Sequence, residues 1–101
     1  MNGKAKRFKI LIVDDHEVVR MGLRTLLERH EDLEIIGEAA SAQEAVDTSL
    51  KTLPDVVLMD VRLPDRSGIE ACREIRTAEP GIRVLMLTSY SDDEAVVASV
   101  I

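Results

Sequence analysis

The chain has 101 residues, of which 46% are hydrophobic and 32% charged, ordinary proportions for one small soluble domain. Thirteen basic against 19 acidic residues leave a formal charge of −6, which argues against this segment itself gripping nucleic acid, and the lone Cys72 excludes an internal disulfide and suits a reducing, cytoplasmic setting. No apolar run approaches the roughly 18 residues a membrane span needs, and the basic start (Lys4, Lys6, Arg7, Lys9) leads into too short an apolar stretch for a signal peptide or anchor.

Residues 1–7 read as a solvated lead-in to a domain spanning 8–101. Phe8 and Tyr90 are the only aromatics, so Val, Ile, Leu, Met and Ala must build the core. Phe8–Val13 is nearly continuously apolar, as in a parallel strand covered on both faces. Asp15–His30 has Val19, Leu23, Leu26 and Leu27 at helical spacing, with Arg20, Arg24, Glu28 and Arg29 expected outward. Gly22 interrupts that helix at a cost of about 1 kcal/mol, which a close helix contact would explain.

Leu33–Ala39 is the second strand. Ser41 and Glu44 then have the spacing of a capping box and open a helix to about Leu53, with Ala42, Ala45, Val46, Leu50 and Leu53 inward; Pro54 ends it. Val56–Met59 is a third apolar strand finishing at Asp60. A loop with Pro64 and Gly68 leads into a helix to about Glu79, with Ile69, Cys72 and Ile75 on one face, and Pro80-Gly81 breaks it. Val84–Leu87 is a fourth strand ending at Thr88. Ser91 and Glu94 repeat the capping-box spacing and are expected to start a last helix still running at Ile101.

Strict alternation of strands and helices implies an α/β fold with a doubly wound parallel sheet. In such sheets the ligand crevice lies at the carboxyl ends of the strands. Those ends carry Asp14 and Asp15, then Asp60, then Thr88. Three carboxylates meeting in one crevice repel one another unless some protonate or a cation joins them. Mg2+ prefers hard oxygen ligands and keeps several waters, which suits a shallow site that must also admit a phosphate. Asp60 would then be a nucleophile forming an aspartyl-phosphate, and Thr88 offers a hydroxyl to a phosphoryl oxygen.

Each feature taken singly has a plainer reading. Asp14 and Asp15 could cap the first helix, and Asp60 could be a turn residue. Thr88 could be an ordinary strand end, and Pro64 and Gly68 ordinary loop punctuation. His16 and His30 read as solvated, with nothing at metal-ligand spacing beside them, Cys72 as inert core, and Met59 and Met86 as core filler. The joint placement of the acidic pair, the acceptor and the threonine at strand ends favours the site.

The stretch Ile10-Leu11-Ile12-Val13-Asp14-Asp15-His16 resembles the acidic-pair entry of response-regulator receivers. Val56 to Gly68 resembles their phosphorylation loop, an acceptor Asp with Pro at +4 and Gly at +8. Leu87-Thr88-Ser89-Tyr90 resembles their switch-threonine segment. Val18-Val19-Arg20-Met21-Gly22-Leu23 and Ile36-Gly37-Glu38-Ala39 look most like the NarL/FixJ subgroup, whose members usually carry a C-terminal LuxR-type helix-turn-helix. The resemblance runs from about Phe8 to Ile101.

It implies a flavodoxin-like (CheY-like) fold with strand order 2-1-3-4, and a sensor histidine kinase as phosphoryl donor. Asp15, Asp60 and the Arg62 backbone carbonyl would bind Mg2+ directly, with Asp14 acting through a metal-bound water and Thr88 as the switch. Arg62 and Tyr90 stand at the positions that tune phosphoryl lifetime, and Pro64 and Gly68 set the loop. The output would be homodimerisation and DNA binding through a C-terminal domain absent here. Receivers continue to a fifth strand with a lysine and then a fifth helix, so the chain is expected to be a fragment ending within the fourth helix.

Two other functions fit the same residues less well. An aspartyl-phosphate-type hydrolase would need a second Asp two residues after the nucleophile, where Arg62 stands. A degenerate receiver serving only as a dimerisation module would not need the intact acidic pair and acceptor.

Overall fold

A computed structural model describes residues 6–89 and 96–100, with only the backbone described for 88–89 and 96–100. The elements are β1 (Phe8–Val13), α1 (Glu17–Leu27), β2 (Leu33–Ala39), α2 (Ala42–Thr52), β3 (Val56–Asp60), α3 (Gly68–Ala78), β4 (Arg83–Ser89) and β5 (Val96–Val100). They form one sheet in the order β2-β1-β3-β4-β5. The first four strands are parallel in the expected order 2-1-3-4.

The sheet divides the core. On one face α2 and α3 cover Leu11, Val13, Val57, Met59, Val84 and Met86, with Ala45, Val46, Ala71, Cys72 and Ile75 supplying the helical side. On the other, Leu23 and Leu27 of α1 pack against Ile10, Ile12 and Leu58. Burial on both faces explains why β1 and β3 read as unbroken apolar runs instead of alternating. Small residues on α2 and α3 (Ala42, Ala45, Gly68, Ala71) let these helices lie close to the sheet and fill their side completely.

The cap of α2 forms as a variant of the expected capping box: Ser41 Oγ accepts from the Glu44 amide at 3.1 Å, and Glu44 Oε1 reaches one residue past the N-cap to accept from the Ala40 amide at 2.8 Å. Leu53 ends α2 in the left-handed region at φ 51°, just before Pro54, and its side chain is exposed. Leu50, Ile69, Val19 and Leu26, all expected inward, are exposed as well. The inward stripes are narrower than the apolar stripes in the sequence: Leu23 and Leu27 pack from α1, while Ala45, Val46, Ala71, Cys72 and Ile75 face the sheet from α2 and α3.

Arg20, expected outward, is the converse case: its side chain is mostly covered, at 17% exposure. Around Gly22 a β-carbon would meet nothing within 4 Å among the described residues, so the close helix contact expected there is not what places this glycine.

The largest departure is at the end of the chain. Val96–Val100 was expected within a helix but is β5, antiparallel to β4, with Val97 opposite Thr88 and Val100 opposite Leu85. Three of its five residues are β-branched valines, which fit a pleated strand better than a helix. Pairing there satisfies the backbone groups that β4 would otherwise expose along its apolar edge. Residues 1–5 of the lead-in, and Tyr90, Ser91 and Glu94, lie outside the described residues. Arg7, at the end of the lead-in, is tied down: its guanidinium donates to the carbonyls of Glu31 and Leu33 at 3.1 and 3.2 Å.

Candidate functional site

Register brings the acidic residues together. Val13 of β1 lies opposite Met59 of β3, so the next residues, Asp14 and Asp60, emerge side by side at the carboxyl ends of adjacent parallel strands. Asp60 in turn lies opposite Leu87 of β4, which puts Thr88 one residue further along the same rim. Asp15 follows Asp14 in the short turn before α1.

Asp14, Asp15, His16 and Asp60 each present a ligand atom, and these atoms all lie within 4.8 Å of one another. Such a set can hold a metal ion. Three of the four donors are carboxylate oxygens, the chemistry that suits a small hard divalent cation. The Asp14 and Asp15 side chains are 13% and 33% exposed, so the cluster is shielded yet open on one side.

Burial pushes the Asp60 carboxyl above the ordinary carboxylate range. A hydrogen bond from the Arg62 amide (3.1 Å) pulls it back, and the neighbouring Asp14 and Asp15 charges raise it further. A cation at the cluster would offset this crowding.

His16 is solvent-exposed as expected, at 67% side-chain exposure, but it does stand at ligand distance from the acidic residues and belongs to the cluster. Its backbone amide donates to Asp14 Oδ1 at 2.8 Å, and its Nδ1 lies 2.9 Å from Asp14 Oδ1 and 3.1 Å from Asp15 Oδ1. The hydrogen bond to Asp14, followed by the Asp15 and Asp14 charges, raises its pKa. Direct adjacency to the acidic pair was the signal available in the sequence. His16 is also the N-cap of α1, and its own side chain makes no capping hydrogen bond.

The β3–α3 loop is fixed from three sides. The Val61 amide donates to the Leu87 carbonyl at 3.1 Å, the Gly68 amide returns to the Val61 carbonyl at 2.8 Å, and Arg62 bridges to Ser67. Ser67 Oγ caps α3 by accepting from the Ile69 amide at 3.0 Å. Gly68 is required by close approach, since a β-carbon there would lie 2.1 Å from the Asp60 carbonyl oxygen. Pro64 sits in the bend on the exposed side of this loop, and the Arg62 side chain is exposed.

Asp65, which the sequence did not single out, crosses to the next helix. Its two carboxylate oxygens accept from the Ala42 and Gln43 amides at 2.8 and 2.9 Å, capping the start of α2. Arg66 adds a hydrogen bond to Gln43 at 2.9 Å and pairs with Glu74. No local spacing announces a cap supplied from 22 residues away.

Residues 10–100 match the response regulator receiver domain family. The chain belongs to that family. This receiver is 47% identical over 93 residues to the DNA-binding transcriptional activator DevR/DosR of Mycobacterium tuberculosis, a match covering 92% of the chain and 43% of that protein. It is 44% identical over 88 residues to the response regulator protein VraR of Staphylococcus epidermidis, covering 87% of the chain and 42% of VraR. Its fold superposes with a TM-score of 0.80 and 42% identity on a LuxR-family two-component response regulator from Aurantimonas sp. SI85-9A1, over 85% of this chain and 61% of that one.

The receiver is thus of the LuxR type expected from its first helix and second strand, and it spans under half the length of the curated relatives it matches. Among the described residues no helix is long and apolar enough to cross a membrane.

Proposed function

We propose that this receiver works in the cytoplasm and that Asp60 is its phosphoacceptor, taking a phosphoryl group from the phosphohistidine of a sensor histidine kinase with Mg2+ bound beside it. The observation that carries this is the convergence of Asp14, Asp15 and Asp60 on one rim, within 4.8 Å, next to a partly desolvated Asp60 carboxyl. The donor set fits the ion: Asp15, Asp60 and the Arg62 backbone carbonyl would hold it directly and Asp14 through a water. When bound, Mg2+ supplies positive charge that offsets the crowded carboxylates and the incoming phosphoryl oxygens.

The chain's own residues do the rest. An Asp60 carboxylate oxygen forms the new P–O bond as the P–N bond to the kinase imidazole breaks, and the electron pair leaves with that ring. The Arg62 amide and the anchored β3–α3 loop hold the nucleophile still for in-line attack. Thr88, on the strand beside Asp60, is the switch residue whose hydroxyl would bind the transferred group. Arg62, exposed on the loop after the acceptor, and Tyr90, two residues after Thr88 in sequence, would set how readily water reaches the acyl phosphate. The output is homodimerisation and DNA binding through a C-terminal helix-turn-helix domain. The DNA-binding role in the name of DevR/DosR supports that output.

Adding beryllofluoride with Mg2+ tests the reading. Amide resonances around Asp60, Arg62 and Thr88 are expected to shift in the wild type and to stay put in Asp60→Asn. Unchanged wild-type spectra at saturating Mg2+ would count against Asp60 as the acceptor.

A further inference from the structure

The turn carrying the acidic pair is held from behind by a charged network that lies outside the site itself. Arg20, on the first turns of α1, donates from Nη1 to the Asp14 carbonyl at 2.6 Å. That oxygen belongs to the peptide linking Asp14 to Asp15, so its position sets the plane from which both carboxylates project. From Nε the same guanidinium donates to Glu38 Oε1 of β2 at 2.8 Å. Glu38 Oε2 accepts from Arg24 Nε at 2.8 Å, and Arg24 pairs with Glu28 at 3.0 Å.

The Asp14 amide is meanwhile bonded to the Ala39 carbonyl at 3.1 Å, next in sequence to Glu38. The peptides on both sides of Asp14 are therefore fixed to β2, one directly and one through Arg20. The guanidinium is largely covered, at 17% side-chain exposure, so the contact is sheltered from competing water.

We propose that Arg20, oriented by Glu38, is a positioning residue for the cation site, and that it holds the Asp14–Asp15 peptide in the orientation that aims both carboxylates at Asp60. The inference rests on the cation-binding reading above. Arginine suits this task because its planar fork donates in two fixed directions, to a carbonyl and a carboxylate at once. A lysine keeps the charge but offers one compact ammonium with no such fork. Glu38 also offsets the Arg20 charge, so the network stiffens the turn without placing an uncompensated cation against a cation site.

Charge and positioning make opposite forecasts. Removing a nearby positive charge should tighten binding of a divalent cation. Removing a group that orients its ligands should weaken binding, and losses of about tenfold or more are typical for such partners.

The test is calorimetric titration of the 101-residue chain with MgCl2, with the metal-free melting temperature measured in parallel for wild type, Arg20→Met and Arg20→Lys. Arg20→Met is expected to weaken Mg2+ about tenfold at a temperature where it is folded. Arg20→Lys, with its charge retained, should also lose affinity, and it decides the matter if Arg20→Met does not fold. Unchanged affinity in a folded variant, whatever its melting temperature, would reduce Arg20 to a structural brace. Tighter binding would make it only a nearby charge. Either result overturns the inference while leaving the cation site standing. A wild type that binds no Mg2+ would remove the cation reading and the positioning role together.

Discussion

The Gly68 α-carbon lies so near the Asp60 backbone that a β-carbon on it would stand 2.1 Å from the Asp60 carbonyl oxygen and 3.0 Å from Met59 Cγ. The obstructing atom is backbone, which cannot swing aside as a flexible side chain would. Gly68→Ala must therefore displace either the start of α3 or the end of β3. Overpacking of this kind costs about 1–3 kcal/mol. Urea unfolding should show that loss, and phosphorylation at Asp60 should fall with it. An alanine variant of wild-type stability would mean the two segments separate freely.

Gly22 gives the opposite expectation. It lies inside α1 with open space where a β-carbon would go. Gly22→Ala should raise stability by about 0.5–1 kcal/mol, through the helix preference of alanine and the lower entropy of the unfolded chain. The two glycines together separate close approach from mere helix interruption.

The corrected face of α3 is testable by a pair of truncations. Ile75 is fully buried between α3 and the sheet, whereas Ile69 is 41% exposed. Ile75→Ala should cost about 2–5 kcal/mol by transfer and cavity terms. Ile69→Ala should cost far less, closer to the roughly 0.5 kcal/mol of ordinary surface changes. Equal losses would restore the apolar stripe read from the sequence.

Those two isoleucines show what the sequence could and could not disclose. The strands were legible because β1 and β3 are buried on both faces, their order followed only from the family resemblance, and the site was legible because Asp14 and Asp60 each end such a run. Helix positions were legible from caps such as Ser41 with Glu44, but not which apolar residue faces inward when alanines and a cysteine fill the seam. Arg20 read as solvent-facing because its partners, the Asp14 carbonyl and Glu38, are brought to it only by the fold. Asp65 is silent for the same reason, since its cap spans two separate elements. The pairing of Val96–Val100 with β4 depends on an available strand edge, which helical capping signals do not encode.

Asp65 also makes a prediction about pH. The Gln43 and Ala42 amides hold its carboxyl below the ordinary carboxylate range. A depressed folded pKa contributes stability that is complete above the unfolded value, about 3.9, and is lost as pH falls through the lower folded value. The unfolding midpoint of Asp65→Ala should thus lie below wild type at neutral pH, and the gap should narrow as the pH drops below about 4. A gap that stays constant down to the folded pKa would show that the charged form of Asp65 is not what caps α2.

The most direct measurement of the central claim is phosphoryl labelling of the chain by a small acyl-phosphate donor, followed by intact mass and peptide mapping. One hydroxylamine-sensitive phosphoryl group is expected on Asp60, dependent on Mg2+, absent in Asp60→Asn and greatly reduced in Asp15→Asn. Labelling that persists in Asp60→Asn, or that proceeds equally well with Mg2+ removed by chelator, would contradict it.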